Sequence, residues 1–112
     1  MPKIDNAYFG SISIDGKKYN ADLIVSWDGE ITEKDRRHNI TKGELIDILM
    51  KDPEVVIVGT GFAGNLKVDP DAELFAKVEG IVLLTLPTSK AILEFNKLSK
   101  KRKTVAVLHI TC

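Results

Sequence analysis

Three apolar runs without polar alternation, separated by two amphipathic segments, constrain this chain more than any other feature. Val55-Val56-Ile57-Val58 is continuous and β-branched, the pattern of a strand covered on both faces. Ile81-Val82-Leu83-Leu84 and the stretch from Val105 to Ile110 read the same way. Between them, Pro70 suits the first turn of a helix through Val78, with Asp69 as its N-cap and Gly80 at its stop. A second helix is predicted from Lys90 to Lys100, capped by Thr88 or Ser89, with Ala91, Phe95 and Leu98 on one stripe. The order strand, helix, strand, helix, strand predicts parallel strands joined by right-handed crossovers.

The N-terminal third has the other strand rhythm. Phe9 to Ile14 alternates, and Asp15-Gly16 is a strong two-residue hairpin signal before Lys17-Lys18-Tyr19. Leu23 to Trp27 is the next strand, turned by Asp28-Gly29 into Glu30-Ile31-Thr32. A polar connection from Glu33 to Asn39 then leads to Thr41 and Glu44, three apart, which fit a capping box for a helix from Glu44 to Lys51. Asp52-Pro53 ends it, because the residue before proline is pushed out of the helical region. The expected architecture is a single layered α/β domain over residues 1–112. It has a central mixed, largely parallel sheet, a C-terminal β-α-β-α-β unit and an N-terminal antiparallel β-meander.

Composition narrows the function classes. The 112 residues carry 16 basic and 16 acidic side chains, so no global field draws the chain towards nucleic acid or an anionic membrane. No apolar run approaches the roughly 20 residues of a membrane span, and Met1 to Asn6 lacks the apolar stretch of a signal peptide. The only cysteine, Cys112, leaves no intrachain disulfide. A cytoplasmic location is expected.

In a parallel sheet, ligands bind beyond the carboxyl ends of the strands. Two loops lie there: Gly59-Thr60-Gly61-Phe62-Ala63-Gly64 and Thr85-Leu86-Pro87-Thr88-Ser89. The first matches G-x-G-x-x-G, but Asn65 to Val68 intervene before the helix and Thr85 stands where a ribose-binding acid belongs. A nicotinamide or flavin cofactor is therefore not expected, and nothing else calls for one. The better reading is a pocket in which small residues admit a ligand to the backbone, with hydroxyls from Thr60, Thr88 and Ser89 around it. The plain alternative is that glycines merely permit a tight strand exit.

Asn96 lies seven positions after Ser89 on the same helix face, where its amide either points at that pocket, fixes a neighbouring loop or is simply solvated. Lys97, Lys100, Lys101, Arg102 and Lys103 cluster around the end of the last helix, where cations complement the dipole; phosphate or RNA contact is the lesser reading. Lys34, Arg36, Arg37 and His38 form a smaller basic cluster. His109 reads as a core or edge residue, since no aspartate or glutamate has a spacing that pairs with it. Two histidines 71 positions apart and one cysteine make no metal set.

Pro53 through Gly61, Leu86-Pro87-Thr88 with Ala91, Asn96, Arg102 followed by Val105-Ala106, and the ending His109-Ile110-Thr111-Cys112 together resemble the small Mth-type domain family. That family includes an adipogenesis-associated protein and a mitochondrial complex I assembly factor, and the likeness is nearest to its archaeal members. Phe95 stands where the family usually has tyrosine. The resemblance implies a layered α/β fold around a mixed sheet, and, for one eukaryotic branch, a chaperone acting through protein contacts.

The leading expectation is a non-catalytic module that binds a small anionic molecule or a protein partner through Gly59, Thr60, Gly61, Thr88, Ser89, Asn96 and Arg102. The alternative is an enzyme of acyl or phosphoryl chemistry with the Gly59–Gly61 loop as oxyanion hole. It lacks an evident base for a hydroxyl nucleophile. RNA or phosphate binding through residues 97–103 is the third reading.

Overall fold

The computed structural model describes residues 2–35 and 37–112. Strands β1 (Ile4–Tyr8), β2 (Ser11–Ile14) and β3 (Lys17–Tyr19) pair antiparallel as a sheet of their own. The β2–β3 turn has φ of +49° at Asp15 and +82° at Gly16, the two left-handed residues that a type I′ hairpin requires. The sequence reading has no strand at Ile4–Tyr8. Asp5 and Asn6 have poor strand propensity, and the pairing with β2 that orders them is irregular between Ile4 and Asn6.

The next two strands leave the meander. β4 (Asp22–Ser26) and β5 (Ile31–Lys34) join β7 (Val55–Gly59), β9 (Val82–Leu86) and β10 (Thr104–Leu108) in a five-stranded sheet of order β5-β4-β10-β7-β9. β10 and β9 flank β7 in parallel, while β4 is antiparallel to both β10 and β5. The polar connection is shorter than the sequence suggests, because Glu33 and Lys34 belong to β5. Two-residue strands β6 (Asn39–Ile40) and β8 (Lys67–Val68) bridge its far end to the segment after the glycine loop.

Among the described residues, three helices cover the sheet: α1 (Lys42–Leu49), α2 (Pro70–Val78) and α3 (Thr88–Leu98). The capping box forms as expected, the Glu44 N–H donating to Thr41 Oγ1 at 3.1 Å and the Thr41 N–H to Glu44 Oε1 at 3.2 Å. It opens α1 two residues before the expected start. Asp69 is the N-cap residue of α2, but its side chain makes no cap hydrogen bond. Its carboxylate instead accepts from the Asn39 amide. Neither Thr88 nor Ser89 caps α3; Pro87 holds that position and Thr88 is the first helical residue.

Alternation along the central strands divides the core in two. Ile57, Val25, Ala106 and Leu108 face the meander and α3, meeting Ile4, Ile12, Ile14 and Phe95. Val56, Val58, Val105 and Val107 face α1 and α2, meeting Leu45, Ile48, Ala72 and Ala76. Each fully buried large side chain contributes roughly 1.5 to 3 kcal/mol by leaving water. These two layers hold the carboxyl ends of β7, β9 and β10 together at one edge.

Candidate functional site

β7 and β9 end side by side, Gly59 level with Leu86, so both expected loops lie on one edge. The Thr60 N–H and hydroxyl both donate to the Leu86 carbonyl, at 2.8 and 3.1 Å. Fully buried Thr88 joins the loops: its Oγ1 accepts from the Gly61 N–H at 2.9 Å and donates to the His109 carbonyl at 2.6 Å. Gly59, Thr60, Gly61 and Thr88 thus come together.

The space beyond them is filled by this chain's own residues. Leaving β10, the His109 N–H donates to the Gly59 carbonyl at 3.0 Å, while the Phe62 and Asn65 N–H groups donate to the carbonyls of Thr111 and Cys112 at 2.8 and 2.9 Å. A Cβ on Gly61 would lie 2.5 Å from the Cys112 carbonyl carbon and 2.8 Å from the His109 ring. One on Gly59 would meet Leu108 and Thr88 at 3.1 Å. The glycines let residues 109–112 and α3 come close. The N–H groups of Thr60, Gly61 and Phe62 are therefore all committed inside the protein, and an oxyanion would have to displace those bonds.

The remaining expected residues lie apart. Ser89 is exposed on the first turn of α3. The Asn96 amide is bidentate to the backbone of β1, with Oδ1 accepting from the Ile4 N–H at 2.9 Å and Nδ2 donating to the Ile4 carbonyl at 2.8 Å. Arg102 faces Glu54 at 3.8 Å on the surface.

Sequence reasoning missed the polar centre of this edge. It finds no acid for His109, and the structure overturns that: Asp22 Oδ2 lies 2.6 Å from His109 Nδ1, both residues fully buried. Asp22 Oδ1 accepts from the Ile110 N–H at 3.0 Å. A carboxylate only accepts, so Nδ1 carries the proton that joins the pair, and Nε2 lies 3.2 Å from the Thr111 hydroxyl. His38 stacks edge-on to His109, ring centroids 5.0 Å apart, with its Nε2 3.9 Å from Cys112 Sγ. An aspartate abutting the apolar run Leu23-Ile24-Val25 was the available signal, but only the antiparallel β4–β10 register places it beside His109.

Two exposed aromatics flank the same segment. Phe9 and Phe62 are 70% and 40% exposed, with ring centroids 6.4 Å apart. Their loops are anchored to residues 110 and 111 through the N–H groups of Gly10 and Phe62.

Charge clusters elsewhere. Beside a cavity of about 220 Å³ between α1 and β4–β5, the Glu30 carboxylate, 2.7 Å from the Lys51 ammonium, holds that group above its usual pKa, with Asp28 assisting. The Glu30 N–H in turn holds the Asp28 carboxyl below its usual value. In the smaller basic cluster, Lys34 meets Glu44 and Asp35, and Arg37 meets Asp35; Arg36 lies outside the described residues. Among the described residues, no group of three or more His, Cys, Asp or Glu is placed to hold a metal. Among the described residues, no helix is long and apolar enough to cross a membrane.

Residues 4–109 match the model of a family described as "Protein of unknown function (DUF498/DUF598)". A conserved hypothetical protein from Pyrococcus horikoshii OT3 is similar at 30% identity and a TM-score of 0.87, over 98% of this chain and 99% of that one. A structure called MT938 is similar at 28% identity and a TM-score of 0.81, over the full length of both chains. A protein from Xanthomonas campestris shares the fold, with a TM-score of 0.80 at 16% identity, over 98% of this chain and 85% of that one.

Proposed function

The chain belongs to this family of unknown function, and we propose that it is a non-catalytic binding module that holds a protein partner on the aromatic face beside its glycine loop. One observation carries the reading: Phe9, which follows exposed Tyr8 in the chain, and Phe62 stand in water on loops whose backbone is bonded to residues 110 and 111. Large aromatics held rigidly in solvent are the residues that dominate protein interfaces, because they bury much area at little entropic cost. The Mth-type resemblance, with its assembly-factor branch, favours a protein partner. So does the neutral net charge. Small-anion binding at the Thr60 loop would first have to free the committed N–H groups.

Affinity capture compared quantitatively between the native chain and Phe9→Ser/Phe62→Ser tests the reading, with Lys18→Ser as a surface control. Partners retained by the native chain and the control but lost from the double variant are expected. Identical sets from all three would overturn it. A metabolite that raises the melting temperature, and loses that effect in Thr60→Ala or Ser89→Ala, would favour the small-anion form.

A second reading rests on the hydroxyl–imidazole–carboxylate chain Thr111, His109, Asp22, which has the polarity of an activated nucleophile. It moves the reacting hydroxyl away from Thr60, Thr88 and Ser89. Labelling of Thr111 by a fluorophosphonate probe, abolished in Thr111→Val, would support an enzyme; an unlabelled native protein leaves the binding module.

A further inference from the structure

The two edges of the five-stranded sheet are unlike. β5 ends it with Ile31-Thr32-Glu33-Lys34, whose charges deter pairing with another chain. β9 ends the other side with Val82-Leu83-Leu84-Thr85-Leu86, carrying no charge, no proline and no bulge. Val82 is 50% exposed, and Leu93 of α3, 68% exposed, lines a cleft with Leu84 and Leu86. Such an edge is a template for a further strand. From its register and charges we infer that the occupant is β9 of a second copy of this chain, in an antiparallel pair about a two-fold axis through Leu84.

The backbone selects the register. The Val82 N–H donates to the Glu54 carbonyl and the Leu86 carbonyl accepts from the Thr60 N–H, so residues 82, 84 and 86 present their polar groups to β7. By alternation, Leu83 and Thr85 present theirs outward. The Ile81 N–H is already given to the Ala76 carbonyl, and Pro87 has none. Pairing Leu83 of one copy with Thr85 of the other, and the reverse, satisfies all four outward groups on each copy. It places Leu84 opposite its own counterpart and Val82 opposite Leu86, on the face that carries Leu93.

Charge agrees independently. α3 runs back along β9, rising about 1.5 Å per residue against about 3.3 Å for the strand. An axis through Leu84 therefore passes near the level of residue 92, midway between Lys90 and Glu94. Those two residues line a cleft of about 390 Å³ with Leu84, Leu86 and Leu93, and the two-fold sets Lys90 of each copy against Glu94 of the other. On the opposite face Glu73 and Lys77 of α2 border a cleft of about 330 Å³ beside Leu83 and Thr85. The same axis crosses them. A self-complementary surface of this kind closes as a dimer and leaves neither β9 edge free.

Light scattering on the full chain reads the outcome. A mass of twice 12.4 kDa is expected. Thr85→Pro removes only an outward donor, and Lys90→Glu sets like charges across the axis, so each should weaken the dimer about tenfold or more. The exchange Lys90→Glu/Glu94→Lys should restore it. Circular dichroism matching the native chain shows that the variants remain folded. A single-chain mass at the highest concentration reached overturns the proposal and leaves the edge to another protein. So does a dimer that neither variant disturbs.

Discussion

Gly61 is glycine for two independent reasons. Its φ of +100° is costly for any side chain, and a Cβ would press on Cys112 and the His109 ring. Gly64, at φ +72°, has only Thr60 Oγ1 at 3.9 Å beside its Cβ position. Gly61→Ala is expected to destabilise by about 3 kcal/mol and Gly64→Ala by about 1 kcal/mol, read from urea midpoints at constant slope. Thr88 makes the sharper case. Thr88→Val strands the Gly61 N–H and the His109 carbonyl in a dry site and should cost about 2 to 4 kcal/mol, whereas Thr88→Ser keeps both bonds and most of the stability. The chemistry-bearing types at 59–61 and 88 were legible in the sequence, and so was their meeting on one edge. That the hydroxyl of Thr88 faces His109 was not, because helix-cap statistics say nothing about a residue that turns into the sheet.

At the scale of elements, the β-branched runs and the capping box located β7, β9, β10 and α1 with small boundary errors, since those signals are local. β1 was invisible for the opposite reason. Its order comes from β2 and from the Asn96 amide, 92 positions away. Asn96→Ala should release β1 from α3, costing about 1 to 2 kcal/mol and speeding exchange of the Ile4 amide; Asn96→Asp keeps the acceptor but not the donor and should fall between. The β4–β5 turn carries the pH response. The Asp28 carboxyl is held below its ordinary 3.8, first by the Glu30 N–H. A depressed carboxylate adds stability that is complete above its unfolded value and is lost as pH falls through its folded one. The stability difference between the native chain and Asp28→Asn should thus be present at neutral pH and vanish in acid below 3.8; a difference that grows on acidification would contradict this assignment.

For the whole molecule, the carboxyl edge is a closed seat for residues 109–112 that displays aromatics outward. Phe9 and Phe62 are exposed, so Phe9→Ser/Phe62→Ser should shift the melting temperature little while removing partner binding, separating function from stability in one variant. Asp22 and His109, both fully buried at this edge, belong to the opposite class, and Asp22→Ala should cost about 2 to 4 kcal/mol by leaving the imidazole N–H and the Ile110 N–H unpaired. Whether the glycine loop is committed inside the protein or open to a ligand is decided by amide hydrogen exchange on the native chain with no ligand added. The N–H groups of Thr60, Gly61 and Phe62 are predicted to exchange as slowly as those of β10. Exchange at these three as fast as in an unstructured chain would show them free for an incoming anion and would contradict the closed seat.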